Sequence, residues 1–557
     1  MTAIETAPRL AEPQWPSAEP QPAPTAPASD PRTAFADYEL YLDKAQAAYE
    51  RGDLESAGVY AAVAAHVAMR PHAGFFVSPR LERLLTDIGR DTATPTLFQR
   101  KHNPTIRHLL HVVTEVTPVG GLTNMLTRWI QCDTAHVHSL ALTSQRTPIL
   151  ASVEDAVIKS GGQVYRLNAR MGGQIRWAQE LRMLARRHDA VVQHVYGQDV
   201  IPTIAFAEPA TLPPIMLLNH GDHLFWLGVS TSDVVINLRD EAQTLSIARR
   251  RVEPRRNVMA PTIVAPAVRS RSRAQAKAEL GLAPDAVLML SAARGMKYRT
   301  VGRRSFADTH VELLKRHPNA VLWVLGPGEP EDWREACAAV GGRIKGFEET
   351  PDTKVHFEAA DIAVDSFPFV SSTSLMESAG LGTPLVSRFY GPREARIFAI
   401  NHPGIDKPTL HGATEDEYLA HLDRLIADPD LRARKGEEAR LSVLHYHTPP
   451  SWLDFIERAY ELAAQLPPIK TDGYFGPEET ENFAEGEPDR SLFEVFGYAQ
   501  ENPLRTAKAY LGRLPAGERL RTWREAMRAG VFDSRGEALR ALAPDWLRNM
   551  IKESLRP

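Results

Sequence analysis

Cysteine is nearly missing: Cys132 and Cys337 are the only two in 557 residues. So far apart, they cannot build a disulfide framework or a cysteine-rich metal knot, and they fit a reducing compartment. An excess of positive charge is missing as well, with 65 Lys and Arg against 69 Asp and Glu and a formal net charge of -4. A nucleic-acid partner usually leaves a basic footprint, so that class loses support. No uninterrupted apolar run approaches the roughly 20 residues of a membrane helix. The start, MTAIETAPRLAEPQW, lacks the basic flank and apolar core of a signal peptide. A cytoplasmic location without a transmembrane segment is the expectation.

What is present is ordinary globular material, 43% apolar and 24% charged. The length is too great for one core, which predicts two large domains plus appendages. Residues 1–34 are rich in Pro, Ala and Glu and read as a disordered tail, because they cannot bury enough apolar surface to offset chain entropy. Residues 35–100 contain AQAAYERGDLESAGVYAAVAAHVAMRP, small and aromatic residues at helical spacing around a Gly52-Asp53 turn. This resembles a single tetratricopeptide unit, and one copy predicts a packed hairpin rather than a solenoid.

From residue 105 the texture changes. Apolar runs HLLHVV, HVHSLAL, QVYRL, AVVQHV and PIMLLN alternate with amphipathic patterns such as LTNMLTRWIQ. The alternation restarts beyond a basic, Pro-containing stretch, with AVLMLSAA, AVLWVLG, RIKGF, DIAVDSF and PLVSR. Short strands alternating with helices predict parallel sheets covered on both faces. The fold class is therefore α/β, two tandem doubly wound Rossmann-like domains over 105–268 and 269–466, with helical appendages at both ends. An acidic linker over 467–490 and a helical region over 491–557 complete the chain; the latter shows no recognisable chemistry.

In such sheets, ligands lie beyond the carboxyl ends of the strands, where helix amino termini present unpaired N–H groups to phosphate. The stretch DIAVDSFPFVSSTSLMESAGLGTPLV fits that role. Its strand leads to Ser372, Thr373 and Ser374 at a helix start, with Glu377 one turn on. A capping box from Ser374 to Glu377 is the competing explanation. In SAARGMKYR, Arg294 and Lys297 follow the first strand of the second domain, where cations can neutralise a departing diphosphate. Gly326 in VLGPGEP permits close backbone approach, and Phe347 in IKGFEET is placed to border a nucleobase. The first domain offers Gly121, after Pro118-Val119-Gly120, and the strand end Asn219-His220-Gly221-Asp222-His223. Imidazole titrates near neutrality, so His220 is the candidate general base. The one Asp-x-Asp pair, Asp428-Pro429-Asp430, lies between helical patterns and reads as a turn and cap; no metal is expected.

Taken together, these residues resemble those of GT-B fold glycosyltransferases, most closely the group of O-GlcNAc transferase and the bacterial adhesin N-glucosyltransferases. ARGMKYR, HPNAVLWVLGPG and the 361–386 stretch carry the resemblance. It implies a UDP-sugar co-substrate with no other cofactor, and metal-independent transfer of a hexose or N-acetylhexosamine to a protein, peptide or glycan acceptor. It implies that Lys297 holds the diphosphate, that Thr373 and Ser374 contact phosphates, that Glu377 meets the ribose and that His356 lies near the nucleotide. Two departures stand out. Glu377 replaces an Asp of that group, and Phe369 occupies the place of the second Glu of the retaining GT-B motif, so inversion is the expectation. A nucleotide-sugar epimerase of the same fold and a non-catalytic sugar-nucleotide-binding scaffold are the rival readings.

Overall fold

The computed structural model describes residues 31–93, 95–98, 100, 104–118, 121–302, 304–350, 352–496 and 502–554. The tail expected over 1–34 therefore falls almost wholly outside the described residues, and a helix, Pro31–Glu50, begins at its end.

Among the described residues, thirteen strands form two sheets. The first holds β1 (His108–Val113), β2 (Val137–Leu142), β3 (Val164–Arg166), β4 (Ala190–His194), β5 (Ile215–Asn219), β6 (Val234–Asn237) and β7 (Asn257–Met259). The second holds β8 (Val287–Ala292), β9 (Ala320–Gly326), β10 (Ile344–Glu348), β11 (Ile362–Val364), β12 (Leu385–Arg388) and β13 (Leu410–Gly412). Their orders are β3-β2-β1-β4-β5-β6-β7 and β10-β9-β8-β11-β12-β13, and each strand pairs parallel with its neighbours. Both sheets thus run outwards from their first strand, reverse, and continue on its other side. The reversal opens a crevice at the carboxyl ends of β1 and β4 in one sheet and of β8 and β11 in the other. Apolar side chains cover both faces of the inner strands, as the unbroken runs in the sequence require: β4 and β5 are buried throughout.

Two features depart from the expected partition. The helix Ser451–Gln465, read from sequence as the end of the second domain, packs on the first sheet instead. Its Trp452 and Tyr460 are buried there with Trp129, Met216 and Ile236, and Trp452 Nε1 donates to Pro261 O at 2.6 Å. A polypeptide that leaves the second domain and returns to the first ties the two together. Residues 467–490, whose composition suggested a linker, form an ordered strap across the first domain. Ile469 N donates to Asp233 Oδ1 at 2.8 Å, Thr471 Oγ1 donates to Ser230 O at 3.0 Å, and the buried Glu481 accepts from Ser78. The amino-terminal hairpin, Pro31–Glu50 with Leu54–Val67, packs on the main body, the arrangement expected of a single copy. One face joins the core of the first sheet, and the carboxy-terminal helices cover another through Tyr510, Leu511 and Leu514.

Candidate functional site

The helix Ser372–Gly380 starts where β11 ends, beside β8. Its N-cap, Ser371, caps no backbone amide of the helix; the hydroxyl donates to Ala292 O at the end of β8, at 2.9 Å, and lies 3.2 Å from Ser374 Oγ. Asp365 fixes the approach by accepting from Ser371 N at 2.9 Å and from Ser387 Oγ at 2.7 Å. The capping box weighed from sequence does not form, because Glu377 lies beyond the first turn and the N-cap is Ser371. First-turn amides at residues 372–374 are therefore left without a side-chain cap, next to the hydroxyls of Ser372, Thr373 and Ser374. That leaves a positive helix end available to an anion.

Lys297 sits beside this helix end. Its ammonium donates to Val370 O at 2.7 Å and lies 4.8 Å from the centre of the Phe369 ring. Loss of hydration lowers its pKa to about 8, against the opposing pull of Asp365. Burial in turn lifts Asp365 to about 6, with its hydrogen bonds and Lys297 holding it down. Arg294, on the same loop, is exposed and adds positive potential at Lys297.

The first domain meets this constellation directly. Gly121 opens the helix Gly121–Cys132, and a Cβ placed on it would lie 3.7 Å from Thr373 Oγ1. The amino ends of two helices, one from each domain, therefore face each other across the crevice. Val119 and Gly120, which precede the first of them, lie outside the described residues. Further along that helix, Arg128 is the charge that opposes the effect of burial on Glu377.

At the end of β5 the two histidines take different positions. His220 Nε2 donates to Val195 O at 2.9 Å, which fixes the tautomer and leaves Nδ1 as the basic nitrogen. His223 turns towards the second domain: its ring centre is 4.7 Å from that of Phe369, and its Nδ1 donates to Asp222 Oδ1 at 3.2 Å. Burial lowers the pKa of both imidazoles below the usual value. Asp222 is gripped by Arg239 through two bonds of 2.5 and 2.8 Å, and Arg239 also donates to Ala399 O of the second domain at 3.2 Å. The buried His402 feels Arg239, Asp222 and Lys297 together. Asp222 and His223 were visible only as strand-end residues, and Arg239 and His402 had no signal in the sequence beyond their type.

The other expected donor residues divide into two groups. Phe347 and His356 come together, 5.9 Å apart between ring centres, with Trp323 at 5.1 and 6.0 Å. They form an aromatic corner on β9 and β10, with Trp323 buried and Phe347 and His356 half-buried. Gly326 serves the chain: with φ +117° and a would-be Cβ 1.8 Å from Ala293 O, it lets β9 press against the lysine loop. Among the described residues, the side chains grouped closely enough to share a metal are Asp133, His136 and Glu457. Asp133 and His136 precede β2, at the amino ends of the strands and so away from the crevice, Glu457 comes from the helix Ser451–Gln465, and Asp133 already binds His136 and Tyr460.

No protein-family model matches the chain. Part of it is similar to a curated protein, the lipopolysaccharide core biosynthesis glycosyltransferase LpsE of Rhizobium meliloti, at 30% identity over 172 residues. That match covers 29% of this chain and 46% of LpsE, so the chain spans less than half of that relative's length. Solved structures of similar shape include a mutant O-GlcNAc transferase of Thermobaculum terrenum, at 18% identity and TM-score 0.49 over 78% of this chain and 85% of that one. Another is Anabaena Alr3699/HepE in complex with UDP and glucose, at 13% identity and TM-score 0.48 over 65% and 100%. No helix among the described residues is long and apolar enough to cross a membrane.

Proposed function

We propose that this protein is a metal-independent, inverting glycosyltransferase that moves a hexose or N-acetylhexosamine from a UDP-sugar to an acceptor, a protein among the candidates. The observation that carries the reading is the apposition of Gly121 and Thr373, two helix amino ends converging beside a desolvated Lys297. Anions are drawn to such ends, and a diphosphate fits the combined charge. The aromatic corner of Phe347 and His356 suits the base, and Glu377 suits the ribose. The partial similarity to a lipopolysaccharide core glycosyltransferase agrees with this.

Chemically, the acceptor nucleophile forms a bond to the anomeric carbon while the bond from that carbon to the diphosphate oxygen breaks. The nucleophile's proton goes to an imidazole of the 219–223 turn, His220 Nδ1 or His223 Nε2, each with its partner nitrogen tied to an acceptor. The electron pair of the broken bond stays on the diphosphate, where Lys297 and the amides of Ser372–Gly380 stabilise it. Burial of these groups between two domains excludes water from competition with the acceptor.

A panel of UDP- and GDP-sugars incubated with the protein and host lysate tests this. The expected result is UDP release that depends on lysate, with hexose or N-acetylhexosamine mass increments on acceptors. Conversion of the donor without an acceptor would identify an epimerase, and UDP binding with no turnover under any condition would identify a scaffold.

A further inference from the structure

The carboxy-terminal helices, which play no part in the proposed transfer, sort their residues by charge. Residues 502–554 hold eleven Lys and Arg against six Asp and Glu, within a chain whose formal net charge is -4. Four of those acids, Glu518, Glu525, Glu537 and Asp545, are half-buried. Glu537 Oε1 meets Lys508 at 2.9 Å, Asp545 meets Arg513 at 3.2 Å, and Glu518 accepts from Tyr60 of the amino-terminal hairpin. Asp533 is exposed and is paired with Lys508 at 3.4 Å. The bases turn outward instead: Arg521, Arg524, Arg528, Arg535 and Arg540 are all exposed. Arg524, Arg528 and Arg535 pair with no acid among the described residues.

Apolar side chains share these outward faces. On the helix Ala516–Arg528, from Leu520 onward, exposure falls on Leu520, Arg521, Arg524, Met527 and Arg528, the spacing of a single stripe. The opposite side is buried, with Thr522 Oγ1 3.3 Å from the Tyr60 hydroxyl. The helix Arg535–Ala541 lies against it, Trp523 Nε1 donating to Ala538 O at 2.7 Å. That helix turns Leu539, 67% exposed, outward with Arg535 and Arg540. On the next helix, Asp545–Ser554, Met550 and Ile551 are exposed as well. Five of the thirteen large apolar side chains exposed among the described residues thus fall within this short segment. Singly such residues are ordinary, but apolar groups gathered beside guanidinium groups without acid partners mark a contact surface.

We propose that the helices Ala516–Arg528 and Arg535–Ala541 form a docking face for an anionic lipid bilayer. Such a surface asks for two things at once, cations for its phosphates and apolar side chains for the boundary below the headgroups. Interleaved Leu, Met and Arg supply both, and each guanidinium can bind two phosphate oxygens. The long arginine side chains let the charge stay at headgroup level while Leu520, Met527 and Leu539 reach deeper. A nucleic-acid backbone uses the charges but has no place for the apolar groups. This inference is independent of the transferase reading, since it rests on a face that the crevice does not include.

The experiment sediments the full-length protein with vesicles of mixed phosphatidylglycerol and phosphatidylcholine, and with vesicles of phosphatidylcholine alone. Binding to the anionic vesicles, little to the neutral ones, and weakening by added salt are the expected results. Joint replacement Arg524→Gln, Arg528→Gln and Arg535→Gln should weaken that binding at least tenfold, because each cation near such a surface contributes. Joint replacement Leu520→Gln, Met527→Gln and Leu539→Gln should weaken it about threefold or more. All six positions are exposed and Gln keeps helix propensity, so both variants should keep the parent's melting temperature. No sedimentation with anionic vesicles, equal sedimentation with neutral ones, or anionic binding that the arginine variant leaves unchanged overturns the proposal. Binding that only the arginine variant loses overturns the lipid assignment, as a purely electrostatic contact does not need the apolar groups. RNA binding or self-association that the arginine variant abolishes, with no vesicle binding by the parent, overturns it in favour of those partners.

Discussion

At the residue scale, Lys297 does two things that a surface lysine does not: it caps the Val370 carbonyl and it gives up hydration. Losing one hydrogen bond with a charged donor costs about 1.5–3 kcal/mol, whereas losing a cation that meets leaving-group charge costs on the order of 10²–10³-fold in turnover. Lys297→Met, which keeps the packing on Phe369, should therefore lower kcat by that factor with a melting temperature shifted by only a few degrees. Turnover retained within a few-fold would remove Lys297 from the leaving-group role. The same residue sets a pH limit. Its cationic form is the competent one, so kcat/KM for the donor should fall as pH rises through about 8, the value for the free protein. The acid limb should lie below the ordinary imidazole value, because burial disfavours protonation of His220 and His223 and the base must be neutral. A pH–rate profile with no alkaline limb near 8 contradicts the assignment. Of these residues, Lys297, His220 and the hydroxyls were legible in the sequence, since charge and strand-end position are local facts. That His223 rather than His220 faces Phe369 was not, because the direction of a turn depends on what packs against it.

At the scale of elements, the two opposed helix ends matter most. Each was legible alone, Gly121 after a glycine-rich turn and Ser372 after a strand. Their apposition was not, because it depends on how two domains dock, a relation of residues about 250 apart that no local pattern encodes. Space between them is tight without being closed: a Cβ at Gly121 meets Thr373 Oγ1 at ordinary contact distance. Gly121→Val should therefore fold, with little change in melting temperature, yet fill the room a diphosphate needs. Its KM for the donor should rise at least tenfold, measured by UDP release. An unchanged KM would show that the diphosphate lies elsewhere.

At the scale of the whole molecule, the two parallel sheets followed from alternating apolar runs, because a parallel sheet buried on both faces leaves that imprint in any sequence; the order of strands within each sheet did not. The return of Ser451–Gln465 to the first sheet left none: an amphipathic helix looks the same whichever sheet covers it. The strap over 467–490 was hidden by its acidic composition, since charges such as Glu481 are buried only because Ser78 and Arg80 meet them there. Trp452→Ala removes the largest buried anchor of the returning helix and should cost about 3–5 kcal/mol. Because that helix joins the domains, urea unfolding should split into two transitions in the variant; one cooperative transition at unchanged midpoint would show that the helix does not couple them.

The most direct test of the central claim is calorimetric titration of UDP into the full-length protein, alongside a crystal structure of the complex. The account predicts measurable heat below millimolar UDP, weakened at least tenfold in Lys297→Met, with the diphosphate lodged between Gly121 and Thr373. No heat at millimolar UDP, or a nucleotide bound away from these two helix ends, would contradict it.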